Sequence, residues 1–390
     1  MSSTSRSSKD APPLLTPATT VVMDSAELGA AAVRIPALLH CSSGRLVAFA
    51  EFRRDDPGDT GPIHVVARVR GEDGQWGTTQ VVARAAGRTM GNPAPLEADD
   101  GSIVLLTTSN DAQVTEAAIL SGTVPAPQGR RVHLTRLRCT GTELDPIGPT
   151  QDITEQAKDP RWGWYATGPG HGVRLPSGRM VVAANHSAPK ATGGSSYGAH
   201  GLVSEDEGHT WRIGWVVDEV VGISGPNESA VAHAQDTEGG VETVLMTSRN
   251  EATDQEPTRI IGRVPLPDVS RSAVPRSAGF SVLNGFDGPR IQCGIASLSP
   301  GHGVSHVLTG PLHPEARRDL ALHAVDAGSC SPLGLLRAGP AGYSDVAVDD
   351  RNIFVLVETG EHRIHERIEL LSIDVAEATA ASHSLKEQKA

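Results

Sequence analysis

Ser204-Glu205-Asp206-Glu207-Gly208-His209-Thr210-Trp211 is the most specific stretch of this chain, and it follows the pattern S-x-D-x-G-x-T-W. Each fixed position has a mechanical use. An aspartate at the third position can hydrogen-bond the backbone of its own turn, and the glycine two residues later admits a positive φ. The tryptophan opens the next strand as a packing anchor. A looser relative reads Glu72-Asp73-Gly74-Gln75-Trp76. These are hairpin devices, and no catalytic role is assigned to them.

Working outward, a polar turn followed at once by an apolar strand recurs along the chain. Instances are Ser43-Gly44-Arg45-Leu46-Val47, Asp100-Gly101-Ser102-Ile103-Val104 and Ser177-Gly178-Arg179-Met180-Val181. Gly239-Gly240-Val241, Gly303-Val304-Ser305-His306-Val307 and Arg351-Asn352-Ile353-Phe354-Val355 complete the series. Successive turns lie 49 to 77 residues apart. That is room for four short strands and their loops, one blade of a propeller. The expected fold is therefore all-β, a six-bladed β-propeller over residues 20–378. Residues 1–19, rich in Ser, Thr and Pro, read as a disordered leader, and 379–390 as a polar tail.

Composition agrees with this. Gly 42 and Pro 27 in 390 residues favour many short strands joined by turns. The net charge of −12 argues against nucleic acid and anionic membrane surfaces as partners. No apolar run reaches about 18 residues, so no membrane span is expected. Cys41, Cys139, Cys293 and Cys330 lack metal-ligand or disulfide-framework spacing and read as free thiols. A cytoplasmic, monomeric protein is expected, with non-classical export left open.

Several segments carry chemistry-bearing side chains. Arg34 sits inside the strand-like Val33-Arg34-Ile35-Pro36, where burial is costly unless an anion meets it. Glu51-Phe52-Arg53 leads into a loop with Asp55, Asp56 and Asp59, any of which would otherwise be simply solvated. Asp159 to Gly172 contains Trp162, Trp164 and Tyr165, suited equally to a sugar- or acyl-binding wall and to core filling. Glu228 follows a turn directly before an apolar strand. Arg249 ends a strand, and Arg317-Arg318 enters one. Gly342-Tyr343-Ser344-Asp345 holds one of three tyrosines and precedes a strand that closes on Glu358.

Taken together, R-I-P at 34–36, A-E-x-R at 50–53, G-P-G at 168–170, N-E-S at 227–229, the octapeptide (an Asp box) and Y-S-D at 343–345 resemble the bacterial-type exo-α-sialidases, glycoside hydrolase family 33. The resemblance runs from about residue 30 to 360. It implies an arginine triad of Arg34, Arg249 and Arg317 for the carboxylate of a terminal sialic acid, with Arg317 preferred to Arg318. It further implies Tyr343 as nucleophile, Glu228 as its base and Asp59, rather than Asp55 or Asp56, as acid/base. Arg53, Trp162 and Trp164 would line the pocket, and Glu358 would orient Arg34. Sialylated glycans or oligosaccharides would be the substrates, with no cofactor and no metal. Sialidases are already known as tyrosine-nucleophile glycosidases. The choice has an electrostatic reason: a carboxylate nucleophile would face repulsion of about 4 kcal/mol from the substrate carboxylate at roughly 4 Å and an effective dielectric of about 20. Two other readings fit part of the pattern, a hydrolase for a deaminated 2-keto sugar acid and a propeller that binds sialic acid without cleaving it.

Overall fold

The computed structural model describes residues 12–217, 220, 223–235, 240–252, 258–266, 279–326 and 328–380. Of the expected leader, residues 1–11 lie outside this set, as do Gly239 of the fourth turn and 381–390 of the expected tail. Within the leader range, Leu14 bridges Leu335, and Ala18–Thr19 belong to a strand.

Strands pair with their sequence neighbours in antiparallel meanders. Ala32–His40, Leu46–Arg53, Ile63–Val69 and Gln80–Ala83 form the first. Arg88–Glu97, Ile103–Asp111, Arg131–Thr140 and Glu143–Pro146 follow. Further meanders start at Tyr165–Thr167, Pro226–Ala234 and Ile295–Ser297. The long strand Ser329–Val348 ends one meander and opens another with Asn352–Thr359 and Arg367–Asp374. Ala18–Asp24 then pairs with Arg367–Asp374, so the first described strand completes the last sheet.

Apolar clusters between sheets show the cyclic order. Phe49 and Val65 of the first meander pack with Ile103 and Leu105 of the second. Leu96 and Val104 then meet Met180 and Trp211, and Trp215 meets Val244 and Met246. Ala232 shares one cluster with Ile295 and Leu308, and Leu322 shares another with Val355 and Leu371. Finally Leu356 and Leu370 pack on Val33 and Ala48, which returns to the first sheet. Because each sheet is covered on both faces, the inner strands are buried almost throughout, as in Ala32–His40 and Pro226–Ala234.

The octapeptide forms the expected hairpin. Thr210 donates its N–H (2.8 Å) and hydroxyl (2.7 Å) to Asp206, and Ser204 Oγ donates to the same carboxylate at 2.8 Å. Gly208 has φ 76. Trp211 is buried against the second and third meanders, with its indole N–H bonded to Gly208 O at 3.2 Å.

Candidate active site

Four inner strands break register at corresponding places: Arg34/Ala37, Gly91/Ala94, Pro226/Ser229 and Ala341/Ser344. A bulge inserts a residue and re-aims the side chains beside it. Ile35 (φ 57) and Asn92 (φ 54) take up the left-handed backbone at two of these places. The result brings Arg34, Asn92, Glu228 and Tyr343 to one cleft, which Arg53, Asp59, Trp164 and Arg249 also line.

Tyr343 is the hub. The guanidinium carbons of Arg34, Arg249 and Arg317 lie 5.5, 5.9 and 5.3 Å from its ring centroid. Arg249 Nη1 donates to Tyr343 Oη at 2.8 Å and lies 2.9 Å from Glu228 Oε2. Its Nε lies 3.0 Å from Glu251. Arg318, by contrast, is half exposed and pairs with its neighbour Asp319 at 3.0 Å. Burial pushes the Tyr343 phenol above its ordinary pKa, and Glu228 adds to this against the opposing arginines. Burial likewise raises the Glu228 carboxyl, opposed by Arg249 and by a hydrogen bond with the Tyr343 side chain. A buried carboxyl with a raised pKa, set against a phenol, is matched to taking its proton.

Glu358, fully buried, fixes the other side of the hub. It accepts the N–H of Ile35 at 2.8 Å and of Tyr343 at 3.1 Å, and lies 3.4 Å from Arg34 Nε. One carboxylate thus holds the backbone of both the first arginine's bulge and the tyrosine. His365 stands 3.8 Å away, and burial lowers its pKa to about 4, leaving Arg34 as the cationic partner at neutral pH.

The loop after Arg53 is held by that arginine, which donates to Pro57 O at 2.7 Å and Gly58 O at 2.8 Å. Asp59 pairs with Arg53 at 2.8 Å and Arg34 at 3.3 Å, with its side chain 60% exposed at the cleft mouth. Partial desolvation works upward on this carboxyl, but the two guanidinia outweigh it and hold the pKa below the usual range. Asp56 instead caps Gly58 N at 2.7 Å.

The two tryptophans separate. Trp164 lines the cleft, with the Arg130 guanidinium 3.9 Å above its ring. Trp162 does not reach the cleft. It packs in the core between the second and third meanders, stacked on His186 at 3.6 Å, and the expectation that it lines the pocket is corrected accordingly. The cause is the pleat: residues two apart share a face only in regular strand, and Trp162 precedes the strand Tyr165–Thr167. Trp162→Ala is expected to lower stability by about 3–5 kcal/mol, the usual result of emptying a core aromatic site. Chemical denaturation reads that loss, and KM for the cleft's ligand stays at the wild-type value.

Several cleft residues were not among the candidates read from the sequence. Glu51 accepts from Arg53 (3.0 Å) and from Asn92 N (2.7 Å), linking the first two meanders. Arg130, 4% exposed, donates to Asn110 (3.0 Å) and Asn92 (2.6 Å). Glu116 accepts from Tyr197 at 2.8 Å. Glu51 stood within a recognisable motif; Asn92 on a strand, Arg130 just before one and Glu116 at the start of a short helix are isolated polar residues.

Fold and site together define a closed β-propeller with a cleft built on three arginines around a buried tyrosine and glutamate. Residues 44–355 match the model of the BNR repeat-like domain, and the chain belongs to that family. It is 33% identical over 177 residues to an exo-alpha-sialidase of Aspergillus fumigatus, a match covering 41% of this chain and 43% of that protein. With Sialidase-3 of Mus musculus the identity is 26% over 386 residues, covering 86% and 89%. The matched length is thus under half of the fungal relative and most of the mouse one. Among solved structures, Hadza microbial sialidase Hz136 superposes with a TM-score of 0.70 at 18% identity, covering 91% of this chain and 68% of that one. Trypanosoma rangeli sialidase in complex with the inhibitor DANA gives 0.67 at 14%, covering 92% and 57%. At these identities the structural likeness speaks for the fold.

Proposed function

We propose that the protein is an exo-α-sialidase that releases terminal α-linked sialic acid from glycans with retention, through a tyrosyl intermediate. The observation that carries this is the convergence of three guanidinia on Tyr343, whose hydroxyl shares Arg249 with Glu228. Relatives named as sialidases support it. The same reading takes the meanders as six blades around one axis.

In this scheme the substrate carboxylate occupies the planar guanidinium forks, which fit it bidentately. Glu228 takes the Tyr343 proton as the phenol oxygen bonds to the anomeric carbon. Asp59 gives a proton to the departing glycosidic oxygen as that bond breaks. Water then attacks the anomeric carbon, giving its proton to Asp59, and the phenolate leaves and is reprotonated. Two inversions give retention. In the free protein Asp59 is held ionised by Arg34 and Arg53. A substrate carboxylate drawing on Arg34 weakens that hold and lifts the Asp59 pKa toward what an acid needs.

One observation favours a second reading, hydrolysis of a deaminated 2-keto sugar acid. Arg130, Asn92 and Asn185 also line the cleft, and polar side chains suit a hydroxyl better than an acyl methyl group. Purified protein assayed from about pH 4 to 8 on fluorogenic sialosides and their deaminated analogues tests both readings. Turnover is expected, with the acid limb of kcat/KM above pH 4.5 because the Glu228 carboxyl is raised from that value and acts only when ionised. Absence of turnover on every substrate, with sialic acid still bound, would establish a binding protein instead.

A further inference from the structure

We propose that a buried pair beneath the nucleophile, His171 with Asp345, is a positioning element for Tyr343 and Arg34; this rests on the hydrolase reading above. Asp345 lies two residues beyond Tyr343 on the same inner strand. It is fully buried, yet the carboxylate is richly partnered. One oxygen accepts Leu38 N at 2.8 Å and His171 N at 2.9 Å, while the other accepts Val346 N at 3.0 Å. His171 Nδ1 lies 2.9 and 3.1 Å from the two oxygens.

Those bonds join three segments of the site. Leu38 is on the strand that carries Arg34, and Val346 is on the strand that carries Tyr343. His171 ends the Gly168-Pro169-Gly170 turn, whose Gly168 O accepts Ser229 N, next to Glu228. There is no room to rearrange: a Cβ on Gly170 would stand 3.2 Å from Asp345 Oδ1, and one on Gly294 would stand 2.7 Å from Asp345 Cα. A shift of Asp345 therefore moves the tyrosine's own strand.

His171 is the switchable half. Its side chain is 16% exposed and lines a cavity of about 460 Å³, formed by residues further along the same inner strands and so at their opposite end from the cleft. The titratable and charged groups around that cavity are His40, Glu97, Asp99, Arg174 and His233. Glu97 accepts from Ser42 and Asp99 pairs with Arg174, which leaves Asp345 as the carboxylate bonded to His171. Burial lowers the His171 pKa, but the Asp345 charge and hydrogen bond outweigh it and raise it above 6.5. The ionic part of the tie is therefore complete below about pH 6.5 and is lost as pH rises through the raised value.

The test compares wild type, His171→Leu and His171→Asn as full chains, with kcat and KM on the preferred fluorogenic substrate across pH and unfolding measured alongside. A nucleophile displaced by about 1 Å costs on the order of 10²-fold, so His171→Leu is expected to lose that much kcat, with a smaller rise in KM as Arg34 shifts. His171→Asn keeps a donor for Asp345 and is expected to restore kcat to within about tenfold. Its kcat relative to wild type is lowest near pH 5 and climbs toward unity as pH rises, because the wild-type pair then also loses its charge. Folded variants with wild-type kcat, or an Asn-to-wild-type ratio flat in pH, would overturn the proposal. If His171→Leu does not fold, the pH course of the His171→Asn ratio decides alone. Failure of the hydrolase reading looks different, since wild type itself would then show no turnover, and both ideas fall.

Discussion

Tyr343→Phe is expected to lower kcat by on the order of 10³- to 10⁶-fold, the range seen when a covalent nucleophile is removed and the rest of the site remains. The ring stays, and so do the three guanidinia at 5.3 to 5.9 Å from its centroid. Affinity for an unreactive sugar acid should therefore change by no more than about threefold, because the lost hydroxyl takes away one hydrogen bond to Arg249 while all three guanidinia of the carboxylate trap remain. Single-turnover kinetics on a fluorogenic sialoside, paired with calorimetric binding, separates the two quantities. If the variant turned over within about tenfold of wild type, Tyr343 would not be the nucleophile. A drop in both turnover and binding would instead mean that the hydroxyl organises Arg249. A phenol with a raised pKa is also inert without help, so Glu228 is needed in its ionised form, above its own raised pKa.

Glu358→Gln should act on stability and catalysis together. Glu358 is fully buried and serves Ile35 N, Tyr343 N and the Arg34 guanidinium at once. A glutamine has one acceptor oxygen, so its amide group would face one of those N–H donors, and Arg34 would lose its buried counter-charge. Breaking a buried ion pair from one side costs about 3–5 kcal/mol. Urea unfolding is expected to show a loss of that size, and kcat/KM should fall by about 10²-fold as Arg34 and Tyr343 drift. An unfolding midpoint equal to wild type would refute the role given to this carboxylate. Trp162→Ala makes the useful contrast, since it lowers stability by a similar amount without touching the cleft.

Much of the site was legible before any coordinates. R-I-P, N-E-S and Y-S-D sit at three of the four register breaks, which makes the motifs local: each records a bulge and the side chain it aims. The fourth break, at Gly91-Asn92-Pro93, is of the same kind but carries no motif, because Asn92 works through a backbone N–H donated to Glu51 and an amide oxygen that accepts from Arg130. Neither contact leaves a mark in the surrounding residues. Arg130 was invisible for a related reason. It enters the cleft from the strand-flanking segment before Arg131–Thr140, and its partners Asn110 and Trp164 are 20 and 34 positions away in sequence.

The chain's own order of residues settles the hairpins. Ser204, Asp206, Gly208 and Thr210 bond one another within seven residues, and turns such as Asp100-Gly101-Ser102 do likewise, so these units form on local chemistry. Which aspartate, which arginine and which tryptophan serve the cleft is a different kind of question. Asp59 over Asp56, Arg317 over Arg318 and Trp164 over Trp162 are pairs of chemically equivalent neighbours; the family resemblance already implies the first two choices, but residue chemistry alone implies none. Each choice follows from the packing of adjacent sheets and from loop contacts such as Arg53 with Pro57 and Gly58. In a strand a shift of one residue reverses the face a side chain meets, and that face exists only once the ring has closed.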